Sequence, residues 1–117
     1  MVFTMLVMAL ALAAADASGK WAGAMKPDDG SRDLSLFMIF RLEDDKLAGS
    51  GGPNESEQFP MANGKADGGR LTFEVAAGKG TIHFDLKING DEASGGIRHV
   101  GAEGTRTGQV TLKRVKD

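Results

Sequence analysis

From residue 19 onward the chain alternates apolar and polar residues in short runs, and each run ends in a Gly, Asp or Asn turn. Period-2 alternation bounded by turn residues marks a half-buried antiparallel strand. It predicts strands over 19–25, 34–42, 47–51, 58–66, 71–75, 81–88, 92–100 and 105–115. The strongest is the second, with Leu34, Leu36, Met38, Phe40 and Leu42 on one face. Asn89-Gly90 predicts a type I′ hairpin turn, which needs positive φ at both central positions. Residues 52–56 read as the longest polar loop. Pro60 predicts an edge or a bulge in its strand, and Gly95-Gly96 a bulge or sharp coil in the seventh. No segment after residue 18 carries the i, i+3, i+4 stripe of an amphipathic helix.

Eight sequential strands on short connections favour closure, because closure removes exposed edges. The expected fold is all-β, an eight-stranded antiparallel up-and-down barrel. A two-sheet β-sandwich has the same alternation and is the alternative. A barrel of eight strands is wide enough to be filled by its own side chains or to hold one small ligand. The inward candidates are Leu36, Met38, Phe40, Phe59, Met61, Phe73, Phe84 and Leu86. Of these Met38, Phe40, Phe59, Met61, Phe73 and Phe84 are the candidate ligand-binding residues, and core filling is the competing reading. The volume of any cavity decides between them. In Leu36-Phe37-Met38-Ile39-Phe40 both faces are apolar. Phe37 and Ile39 then point outward, which marks a candidate interface for docking or a homodimer.

Residues 2–12 form an apolar run broken only by Thr4, followed by small residues and Asp16 to Ala17. The run is too short for a transmembrane span, which needs about 20 apolar residues. Its pattern is that of a signal peptide. Residues 1–17 are therefore expected to be an export signal and residues 18–117 a single β-barrel domain, periplasmic or extracellular.

Composition narrows the chemistry. The 117 residues carry a formal net charge of −2, with no Cys, no Tyr and one Trp. A near-neutral balance offers no footprint for nucleic acid. The lack of Cys removes disulfides, thiolate metal sites and thiol nucleophiles. His83 and His99 with Asp85 lack the spacing of a zinc site. Residues 28–33 hold oxygen ligands at close spacing but lack the downstream Glu of an EF-hand, and Asp, Gly and Ser are also turn residues. Asp44-Asp45 is turn chemistry, and Glu55 and Glu57 lie on a solvated loop. Asn54-Glu55-Ser56 matches an N-glycosylation acceptor. No nucleophile elbow, P-loop or dinucleotide fingerprint is present. These observations point away from an enzyme and imply no metal or cofactor.

Gly19-Lys20-Trp21 opens the first strand. It resembles the G-x-W start of the lipocalin and avidin-like barrels, the calycin group. The resemblance implies a barrel plug in which Trp21 closes one end and an Arg from the last strand packs on it. Arg114 is the candidate, with Arg98 and Arg106 as weaker ones. Trp21-Ala22-Gly23 and the repeated D-G hairpins are also similar to a group of small exported bacterial domains of unknown function. That second likeness implies a fold and an export route, not an activity. Two functional readings follow. One is a protein that binds a small hydrophobic molecule in or at the mouth of the barrel. The other is a structural or interaction module of the cell envelope that self-associates through Phe37 and Ile39.

Overall fold

The structure is a computed structural model that describes residues 17–116. The signal-peptide reading of residues 1–17 lies outside the described residues except at Ala17. Eight strands follow in chain order: β1 Gly19–Pro27, β2 Leu34–Glu43, β3 Lys46–Asn54, β4 Glu57–Asp67, β5 Arg70–Ala77, β6 Gly80–Asn89, β7 Glu92–Gly101 and β8 Gly104–Arg114. Each pairs antiparallel with its neighbours, and β1 pairs with β8 from Trp21↔Arg114 to Pro27↔Gly108. The sheet is a closed barrel, as the alternation predicts.

Cross-strand pairs share a face of the wall, so the register can be followed around the barrel as rows of inward side chains. One row runs Arg114, Trp21, Met38, Gly51, Phe59. Another runs Leu71, Leu86, Gly95, Val110, Met25, Leu34. Each begins at the end where the chain enters at Ala17 and climbs to the opposite end, because strands in a closed barrel are staggered. Glycine stands beside the largest inward residues. Phe40 lies between Gly19 and Gly49, and Leu86 and Val110 flank Gly95. Alternation of large and absent side chains is how a narrow barrel fits its contents.

The turns differ from expectation in three places. At the β6–β7 hairpin the pair Asn89↔Glu92 closes a loop whose central residues are Gly90 and Asp91. Only Gly90 has positive φ, at 65°. The turn is one residue later than predicted and has the II′ pattern, not I′. The I′ pattern occurs at Gly68-Gly69 instead, with φ of 58° and 87°. Residues 52–54 belong to β3, so the β3–β4 loop is only Glu55-Ser56. Asn54 Oδ1 tightens it by accepting the backbone N–H of Ser56 and Glu57. The longest connection is 28–33. Pro60 lies in a ladder with register shifts on both sides of β4, and Asn63 there has φ 54°. That is a bulge on a strand that has two partners and is no edge.

At Gly95-Gly96 the register runs unbroken on both sides. There is no bulge. Neighbouring backbone instead passes so close that a Cβ at Gly95 would run into the Asp85 carbonyl oxygen, whereas a Cβ at Gly96 would find its nearest contact 3.8 Å away at Gly108 O. This contrast predicts opposite outcomes for adjacent substitutions. Gly95→Ala should cost about 2–3 kcal/mol or more, as overpacking against rigid backbone does. Gly96→Ala should be neutral or stabilise by roughly 0.5 kcal/mol through the unfolded chain. Urea unfolding of the two variants checks both.

Candidate functional site

The two ends of the barrel are built differently. At the closed end Trp21 is fully buried and donates its indole N–H to the Ala17 carbonyl at 3.0 Å. An indole N–H needs such an acceptor when buried. The Arg114 guanidinium lies 4.4 Å from the indole ring centroid. Arg114 also donates through Nη1 to Ser18 O at 2.8 Å and through Nε to Asp91 Oδ1 at 3.0 Å. A cation over an indole is worth about 0.5–2 kcal/mol. Here the same side chain also ties the entering segment and the β6–β7 turn to the β1–β8 seam. A pocket of about 70 Å³ remains at this end, lined by Ala17, Leu71 and neighbouring turn residues.

The interior is filled. Trp21, Phe40, Phe73 and Phe84 form a continuous chain of rings, with centroid separations of 6.1, 5.6 and 4.6 Å. Phe40 stands on β2 and Phe73 on β5, so this contact bridges the lumen. Of the candidate ligand-binding residues, Met38, Phe40, Phe73 and Phe84 are buried in this core. Met61 is half-buried and packed against it. Phe59 alone reaches solvent to a large extent, at 44% exposed. Ligand pockets run from about 300 Å³ upward, and the 70 Å³ pocket is well short of that.

The open end is apolar. Leu34, 50% exposed, starts β2, and Phe59 shares the inner face with Gly51. Half-buried Met25, Leu36, Met61 and Ile82 continue the surface inward onto the core. The last inward row runs Met61, Val75, Ile82, His99, Arg106. It is apolar on one side of the mouth and basic on the other. His99 follows buried Ile97 by two residues, and Arg106 precedes buried Gly108 by two. Their inward facing is legible from that parity, which the zinc-spacing argument for His99 and the Trp21 likeness for Arg106 do not use. Gly80 and Gly101 make room for the His99 ring. A Cβ at Gly80 would stand 2.9 Å from its Nε2.

The outer wall is polar. An open groove of about 1360 Å³ crosses the outer face of β4–β8, with Lys65, Glu74, His83, Asp85 and Arg98 among its lining. His83 pairs with Arg98 on this face, while His99 pairs with Ile82 on the inner one. The two histidines are on opposite sides of the wall and cannot share a metal ion. Asp85 is engaged by Arg70, whose guanidinium holds its carboxyl below the ordinary value. In the 28–33 loop the Ser31 hydroxyl, and after it the Ser31 backbone N–H at 2.9 Å from Asp29 Oδ1, hold the Asp29 carboxyl below its ordinary value. Phe37 and Ile39 are half-buried on the outer face of β2. The β3–β4 hairpin is tied back across this face. Gln58 Nε2 donates to Phe37 O at 3.0 Å, and Lys20 on β1 reaches Glu55 at 2.6 Å.

The fold and its single apolar mouth define a small closed β-barrel. No family model matches the chain, and no curated protein matches it. Among solved structures it is similar to zebrafish ileal bile acid-binding protein complexed with cholic acid. The identity is 20% and the TM-score 0.47, over 84% of this chain and 98% of that one. That likeness is distant, and the fold rests on the strand pairing itself.

The closed end carries a pH prediction. Lys116 first, then Arg114, holds the Asp91 carboxyl below its ordinary value of 3.8. A depressed carboxyl contributes stability that is present above its unfolded value and lost as pH falls through its folded value. Asp91→Asn should therefore lower the melting temperature at pH 7. The gap to the wild type should close as pH drops below the ordinary carboxylate range, which parallel thermal melts would read.

Proposed function

We propose that this protein binds a small apolar molecule, and that it does so at the open mouth rather than inside the barrel. The observation that supports this most is the contrast between the two places. The lumen is bridged by Phe40 against Phe73, while Leu34 and Phe59 stand in water over a half-buried apolar floor. Burying two such side chains under a ligand contributes about 1.5–3 kcal/mol each when complete. Their exposure in the free protein is the cost that a ligand removes. No reacting constellation accompanies the mouth, so the reading is binding and not catalysis. The same reading takes the protein to be exported, on the strength of the apolar run at residues 2–12.

An uncharged fluorescent apolar dye such as Nile red tests the mouth directly. The wild type should bind it, and the double variant Leu34→Ser/Phe59→Ser should bind about tenfold more weakly. Val115→Ser removes an exposed apolar residue at the closed end and should leave binding unchanged. Equal binding by the double variant, or no binding by the folded wild type, would overturn the proposal.

A further inference from the structure

We infer that the mouth selects an amphipathic ligand with an acidic head group, which Arg106 and His99 meet while Leu34, Phe59 and Met61 meet the apolar body. This rests on the reading of the mouth as the binding place. Following alternation along all eight strands, the inward positions among the described residues are apolar or glycine except for Glu57, which starts β4 and accepts from Asn54 Nδ2, and three basic residues: Arg114, His99 and Arg106. Arg114 is at the closed end and is occupied by Trp21, Ser18 and Asp91. The other two are adjacent to each other, as a cross-strand pair at the open rim. Neither side chain makes a hydrogen bond or an ion pair with another described residue. Lys20, Arg41 and Arg70, on the outer wall, do have carboxylate partners. Arg98 on the outer wall and Arg32 in the 28–33 loop have no ion pair among the described residues either, so what sets Arg106 apart is its place on the inner face of the mouth beside His99.

The placement is also constrained. The pair continues the row Met61, Val75, Ile82, so apolar surface and donors lie on one line across five strands. Gly80 and Gly101 hold the space that the His99 ring takes. The nearby opposing charge is Asp29 on the 28–33 loop, whose carboxyl Arg106 helps to lower at a distance. That charge screens Arg106 but does not satisfy its donors. A guanidinium presents a fork of N–H groups that fits a carboxylate, sulfate or phosphate in two-point contact. A wholly apolar ligand would leave those donors against hydrocarbon, which disfavours it.

Decanoate and decanol, kept below their solubility limits, separate the head group from the tail. Dye displacement should show the wild type binding decanoate at least fivefold more tightly than decanol, a margin that falls as salt is added. Arg106→Gln should abolish the preference while leaving decanol binding intact, and Arg106→Lys should keep most of it. Asp29→Asn, which removes an opposing charge, should widen it. Equal affinities for acid and alcohol in the wild type would overturn the head-group assignment and leave the apolar mouth standing. A preference for the acid that survives Arg106→Gln would overturn the role of Arg106. Failure of both molecules to bind would overturn both the assignment and the reading it rests on.

Discussion

Phe40 on β2 and Phe73 on β5 meet across the barrel with ring centroids 5.6 Å apart. A barrel of about 100 residues without a disulfide has to be stabilised by its own packing, and this contact is where that requirement shows. Phe84 stacks behind Phe73 and Trp21 leans on Phe40, so one chain of rings runs from the seam to the far wall. At Gly49 and Gly95 a Cβ would run into the carbonyl oxygens of Ile39 and Asp85, so glycine lets the neighbouring backbones approach closely there. Filling the lumen gives cohesion and takes away the place where a barrel usually keeps a ligand. What the molecule can bind is then set by its ends.

The ends divide the labour. Arg114 closes one by stacking on Trp21 and by holding the Ser18 carbonyl and the Asp91 carboxylate. Ala17, which accepts the indole N–H, is part of that closure, and a chain beginning at residue 18 would lack it. Among the described residues the other end has no such plug. The stagger of the strands carries the inward rows out to Leu34, Phe59 and Arg106, so the apolar core continues to the surface there and ends in a basic rim.

Much of the fold was legible because it depends on local alternation. The eight strands, their order and the inward faces of β2, β5, β6 and β8 follow from period 2 alone. Trp21 and Arg114 were paired through a family likeness rather than through any spacing, and the two side chains do meet. Features set by long-range geometry were not legible. The β6–β7 turn fell on Gly90-Asp91 because the cross-strand register, not the Asn-Gly pair, fixes where the loop closes. Residues 52–54 looked like loop because Gly, Pro and Asn are turn residues, but Asn54 pairs with Glu57 and extends β3. The outward pair Phe37 and Ile39 looked bare because Lys20 and Glu55, far apart in sequence, bridge that face. Exposure was the hardest to read. Phe59 and Phe84 are equivalent as residue types, and only the stagger puts one in water and the other in the core.

The central claim is that binding occurs at the mouth of a filled barrel. Amide chemical-shift mapping during a titration with decanoate tests it most directly. The account predicts shifts confined to the region of Leu34, Phe59, Met61, Ile82, His99 and Arg106, with Trp21, Leu86 and Leu112 unmoved. Shifts centred on Phe40, Leu86 and Trp21 instead would mean that the ligand enters the lumen, and would contradict it.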